Sequence, residues 1–120
     1  MNDTELVDLL LENYTEQYNI YKSMLANINS GFPPEGKSVD LGRVITVLED
    51  RKKSFERIKV IDDRIQGNKI GWDRRKNDVH TIPAETLKML LKNIQHILSQ
   101  VMEANRRLEE MVNLALKKKE

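Results

Sequence analysis

The sequence predicts an all-α protein, an elongated antiparallel three-helix bundle or helical hairpin with coiled-coil character. Charged residues make up 32% of the 120 residues and aromatic residues 5%, which is typical of long helices rather than of sheets. Apolar residues recur at steps of three and four along three segments, the spacing of one helix face. We therefore expect a single helical domain over residues 1–120, with helices at about 4–29, 41–66 and 83–118.

The first helix has clear signals at both ends. Asn2, followed three residues later by Glu5, is a typical N-terminal cap. The helix ends before Ser30–Gly36, a segment that holds two prolines and two glycines. Gln17 is the polar member of its apolar stripe. The other members of the stripe are Val7, Leu10, Leu11, Tyr14, Tyr18, Tyr21, Met24, Leu25 and Ile28.

The second helix is predicted over residues 41–66. Ser38 or Asp40 can cap its start, and Gly67 can end it. Its apolar stripe thins in the middle, where residues 49–53 are all charged. The apolar positions are Leu41, Val44, Ile45, Leu48, Phe55, Ile58, Ile61 and Ile65.

A long connector is predicted from Gly67 to Ile82. Connections of this length are usually functional or mobile. Trp72 has two interpretations here. It either anchors the loop against the open end of the bundle, or it is an anchor for a partner, since Trp with nearby Arg is typical of interface hot spots.

The third helix has the most regular pattern. Pro83 suits a first helical turn, and no glycine or second proline follows it before residue 118. A stripe this long exceeds what a short bundle needs, so we expect part of it to face another chain. The stripe consists of Leu87, Leu90, Ile94, Ile97, Val101, Ala104, Leu108, Met111 and Ala115, widened by Leu91, Leu98 and Val112.

Residues suited to catalysis or metal binding are sparse. Without cysteine there can be no disulfide, thiol nucleophile or cysteine-ligated metal. His80 and His96 lack the spacing of a metal motif, and Asp62 and Asp63 diverge because they are adjacent on a helix. The sequence therefore predicts no enzyme, no metal and no cofactor.

Charge and hydropathy limit the partners. The formal net charge is +1, which does not favour nucleic acid as the main partner. No apolar run is long enough to span a membrane, and the acidic N-terminal residues lack the pattern of a signal peptide. We expect a cytoplasmic protein with no membrane insertion.

Two segments carry a family resemblance. The stretch from Leu48 to Asp62 reads LEDRKKSFERIKVID, and the third helix contains Ile94-Gln95 and then EANRRL from Glu103 to Leu108. Together with a long first helix and the Gly/Pro break, they resemble the small flagellar export chaperones of the FlgN/FliT type.

The resemblance implies a type III export chaperone without catalytic activity or cofactor. Its partner would be an amphipathic helix of a hook-associated or filament-related subunit, with the export apparatus as a further partner. A client helix would complete the apolar stripe of helix three, and Leu108→Glu would abolish binding while the fold survives. The partner-binding residues expected are Leu98, Val101, Met102, Asn105, Leu108, Met111, Val112 and Trp72.

Two other functions fit the same residues. The protein could be a structural coiled coil whose function is self-association, with a homodimer as its simplest form. It could also be a small helical regulator that contacts DNA or RNA through Arg74, Arg75 and Lys76. Asp73 and Asp78 interrupt that basic run and weaken this interpretation.

Overall fold

The computed structural model describes residues 1–119 and shows three helices, with no strand in that range. Helix α1 spans Asp3–Ser30, α2 spans Leu41–Arg75 and α3 spans Ile82–Lys119. The molecule measures 60 × 23 × 17 Å. The predicted all-α, elongated bundle is therefore confirmed. None of the helices in the described range combines the length and apolar character needed to cross a membrane.

Short polar side chains begin all three helices. The Asn2 side chain accepts a hydrogen bond from the Glu5 backbone N–H at 2.8 Å, and Asp40 accepts one from Arg43 N–H at 3.1 Å. At α3, the Thr81 hydroxyl accepts from the Ala84 N–H at 3.3 Å. Each bond satisfies a backbone donor that has no partner inside the helix. The first two caps are at residues that the sequence analysis named.

The end of α2 differs from the prediction. The helix does not stop at Gly67 but continues through Gly67 and Gly71 to Arg75, which leaves a connector of residues 76–81. Two helical glycines disfavour this by about 1 kcal/mol each. Burial of Trp72, 4% exposed, offsets that penalty. The basic residues Arg74 and Arg75 thus lie in the last turn, where cations interact favourably with the helix dipole.

Helix α1 is the central element. It packs closely along both α2 and α3, whereas α2 and α3 approach each other much less. Asp3 pairs with Arg75 at 2.8 Å and Asn27 contacts Asp50 at 3.4 Å, so α1 and α2 are antiparallel. The core consequently follows α1, and the side on which α2 faces α3 is left as a groove.

The apolar stripe of α3 is mostly used inside the chain. Leu87, Ile94, Val101 and Leu108 are buried at seven-residue spacing. Val101 and Leu108 were expected to face a partner; instead they pack in the core, because α1 and α2 already cover this face. Since Leu108 is 1% exposed, a glutamate there would disrupt the fold, and the expectation that Leu108→Glu leaves the fold intact is wrong.

Candidate partner-binding groove

A polar residue interrupts the core stripe of both α2 and α3. In α2 every seventh residue from Val44 to Trp72 is buried and apolar except Arg51. In α3 the corresponding series is Ala84, Leu91, Leu98, Asn105 and Val112. The two interruptions meet: Arg51 Nη1 donates to Asn105 Oδ1 at 2.9 Å and lies 3.4 Å from Glu109 Oε1. This bridge joins α2 to α3 and sets their register.

Apolar side chains flank the bridge on both helices. Leu48 and Phe55 lie on α2, one turn before and one turn after Arg51, and Leu98 and Val112 lie on α3 in the series that contains Asn105. Leu48, Leu98 and Val112 are partly buried against the core, and Phe55 is 37% exposed. We call this surface, with Met102 at its edge, the α2–α3 groove.

Two depressions lie along the groove. One, of about 80 Å³, is formed where Val44 and Leu48 of α2 meet Leu108 and Val112 of α3. The other, of about 550 Å³, is a shallow surface of α2 around Phe55, lined by Leu48, Arg51, Lys52, Phe55, Glu56 and Lys59. Glu109 and Asn113 complete the lining of the smaller depression, and the larger one has two apolar side chains, three basic ones and one acidic one.

The structure separates the predicted partner-binding residues into three groups. Leu98, Asn105 and Val112 form the α3 wall of the groove, and Met102, 62% exposed, lies at its edge. Val101 and Leu108 are buried beneath it. Two further residues, Met111 and Trp72, lie outside the groove.

Met111 belongs to a third depression, at the end of the bundle. Helix α3 continues beyond the end of α1, and the α1–α2 connector lies against α3 there. This depression measures about 490 Å³ and is lined by Pro33 and residues 36–39 of the connector, by Leu41, and by Met111, Leu114, Ala115 and Lys118 of α3.

Trp72 lies away from all three depressions. It is buried on α2 near the N-terminus of α1, where Leu6 approaches the neighbouring Gly71. The interpretation of Trp72 as a partner anchor is therefore corrected: the indole anchors the bundle and offers no exposed surface. It does so from within a helix, not from a loop.

The α2 wall of the groove is not predicted from the sequence. Leu48 and Phe55 border the stretch where the apolar stripe thins, and Arg51 lies in the middle of that stretch. That thinness was the available signal, because a charged residue at a core position needs a partner on the neighbouring helix.

A polar layer around the buried Gln17 positions α2 on α1. Gln17, 3% exposed, donates to Asp62 Oδ1 at 2.7 Å and to the Ile58 carbonyl at 3.3 Å. Lys69 Nζ donates to the same Asp62 oxygen at 2.7 Å. Each polar group therefore has a partner, and the layer fixes one register of α2 along α1.

The layer also alters two tyrosines. Burial, with the nearby charges of Asp62 and Asp73, raises the pKa of Tyr14 to about 12. Burial, then Asp62, also raises the pKa of Tyr21. The neutral form of both phenols is therefore favoured in the folded chain.

Chemically reactive clusters are not found in the described range. Residues 1–119 contain no group of three or more histidines and carboxylates arranged to hold a metal ion. His80 lies 3.5 Å from Glu85 with both side chains exposed. His96 lines an open, polar depression of about 370 Å³ between α1 and α3.

No family model, curated protein or solved structure matches this chain. The groove is therefore the feature of the molecule from which a function can be inferred. Its distinguishing features are an apolar floor, partly exposed apolar walls and a basic flank on α2.

Proposed function

We propose that this protein is a chaperone that holds an amphipathic helix of a client in the α2–α3 groove, as the flagellar export chaperones it resembles hold hook-associated or filament-related subunits. One observation carries the proposal. Helices α2 and α3 pack on α1 from two sides without closing on each other, which leaves apolar side chains partly exposed along the gap. A helix with apolar residues at steps of three and four complements such a gap.

The side chains at the groove edge suit this role. Phe55 offers an aromatic surface that is 37% exposed, and Met102 offers a flexible thioether that is 62% exposed. Methionine adapts to differently shaped partners because it is unbranched and polarisable. The groove thus combines a fixed floor with an adaptable edge, which is what holding an unfolded or partly folded export substrate requires.

The experiment is affinity capture from a cell extract with identification of the bound proteins. The test variant is Phe55→Glu with Met102→Glu, and the matched control is Val60→Glu, which alters an exposed apolar side chain of α2 outside the groove. Capture of hook-associated or filament-related subunits, lost in the test variant and kept in the control, supports the proposal.

Three outcomes contradict it. Recovery of the bait alone, with a dimer that persists on dilution in sedimentation, would instead support a self-associating coiled coil. Recovery of nucleic acid, lost when Arg74, Arg75 and Lys76 become alanine, would support the regulator. Equal loss of client in both glutamate variants would show that the binding surface is not this groove.

A further inference from the structure

The Arg51–Asn105 bridge crosses the groove that a client would occupy. Arg51 lines the larger depression, and Glu109, its second acceptor, lines the smaller one together with Leu108 and Val112. A helix lying along both depressions must therefore contact the Arg51 guanidinium or displace it from its acceptors.

The contacts of Arg51 in this structure leave much of its bonding capacity unused. Its side chain is 24% exposed, and Nη1 makes both of its bonds to α3: one at 2.9 Å to an uncharged amide oxygen and a long one at 3.4 Å to Glu109, whose side chain is 60% exposed. A guanidinium presents five N–H donors and pairs best with a carboxylate that it can meet with two parallel bonds.

The surroundings favour an acidic ligand. Lys52 and Lys59 line the same depression as Arg51, and Glu56 is the single carboxylate among its lining residues. A carboxylate that approached from solvent would therefore meet three cations against two carboxylates, Glu56 and the Glu109 of the bridge, which is a local excess of positive charge. A basic ligand would meet the same excess and be repelled.

We propose that Arg51 is an exchangeable latch: it bridges α2 to Asn105 and Glu109 in the free chain, and it transfers to a carboxylate of the client in the complex. The partner is then an acidic amphipathic helix, with Asp or Glu beside its apolar stripe on the flank that faces α2. This inference rests on the proposed function, because it names the chemistry of the helix that the groove binds.

Displayed helical peptides test the latch. The library consists of amphipathic helices of about 20 residues, long enough to span about 30 Å, with a fixed apolar stripe and flanking positions varied among Glu, Gln, Lys and Ala. Selection uses the full chain and three variants: Arg51→Gln, Asn105→Ala, and the control Arg57→Gln, whose side chain lines the opposite, α1-facing side of α2.

The latch predicts three results. The unaltered chain and Arg57→Gln enrich glutamate on one flank and bind the selected peptide about five- to tenfold more tightly than its glutamine counterpart. Arg51→Gln loses this preference but still binds. Asn105→Ala binds the acidic peptide several-fold more tightly, since the competing contact of the free chain is gone.

The failures are distinguishable. Enrichment of apolar helices without acidic flanks, or weaker binding by Asn105→Ala regardless of flank charge, would show that the bridge is a structural pin and overturn the latch alone. If no peptide is enriched, the proposed function falls and the latch with it. Urea unfolding of each variant confirms that the compared chains are folded.

Discussion

The two halves of α2 pack very differently. From Ile58 to Trp72, the helix buries Ile58, Ile61, Ile65 and Trp72 against the core. From Leu41 to Arg57 it buries only Val44 and Val47, and Arg51 occupies a core position. We call these the closed half and the open half. The contrast indicates that the closed half stabilises the fold, whereas the open half forms the α2 wall of the groove.

The largest expected effect compares one aromatic residue from each half. Trp72→Ala should lower the free energy of unfolding by about 3–5 kcal/mol, because it leaves a cavity at a fully packed site. Phe55→Ala should lower it by less than about 1 kcal/mol, since the ring is already partly in water. Urea unfolding followed by circular dichroism measures both. Comparable losses would mean that Phe55 is structural and would break the contrast.

The next effect concerns the polar layer at the border of the closed half. Gln17→Ala should destabilise the fold by about 1–3 kcal/mol, because it removes a buried donor to Asp62 and leaves a small void. Exposed Glu16 is the control, and Glu16→Ala should change stability by less than about 0.5 kcal/mol. If the two neighbours gave equal effects in the same unfolding assay, the layer would not contribute to fixing α2.

The sequence predicts helix ends well where local chemistry decides them. Caps and prolines mark both ends of α1 and the start of α3, and each of these three ends lies within one residue of its predicted position. The end of α2 is different, because Gly67 has the local character of a terminator while Trp72, five residues later, is buried by tertiary packing. Local helix propensity does not include the free energy gained by burying Trp72 against the rest of the chain.

The groove was predictable on one side. The long stripe of α3 predicts that Leu98 and Val112 share one face, and the family resemblance adds Asn105 as a partner-binding residue, but a stripe does not reveal what covers it. Val101 and Leu108 belong to the same stripe and are buried by the chain itself. To predict the role of Arg51, one must know which residue of α3 lies opposite it. Local spacing does not encode a pairing between residues that are 54 positions apart.

A pair of glycines tests local packing with opposite signs. A Cβ at Gly31 would lie 3.2 Å from the Ile28 carbonyl oxygen and 3.5 Å from both Leu108 and Val47. Gly31→Ala should therefore destabilise by about 1 kcal/mol, since the junction of all three helices has no room. A Cβ at Gly67 meets nothing within 4 Å, so Gly67→Ala should stabilise α2 by about 1 kcal/mol.

The shift in thermal midpoint measures both glycine variants. Raised stability in Gly31→Ala would mean that the junction is loosely packed. Lowered stability in Gly67→Ala would mean that the helix is not continuous at Gly67. The closed half of α2 would then not extend to Arg75 as one helix.

The effect on stability that is smallest at neutral pH is a pH dependence at Tyr14. This residue contacts the closed half through Lys69, whose Nζ lies 5.8 Å from the centre of the Tyr14 ring. Because folding raises the pKa of Tyr14 from 10.0 to about 12, the neutral phenol is favoured in the folded chain. Its contribution to stability is fully present below pH 10 and is lost as the pH rises towards 12. Tyrosinate absorbance should show a late-titrating phenol that Tyr14→Phe removes.

Asp62→Asn should lower the pKa of Tyr14 and Tyr21 only in part, because burial is the larger cause for both. A complete return to ordinary titration in Asp62→Asn would show that the charge, rather than the packing of α2 on α1, sets the pKa.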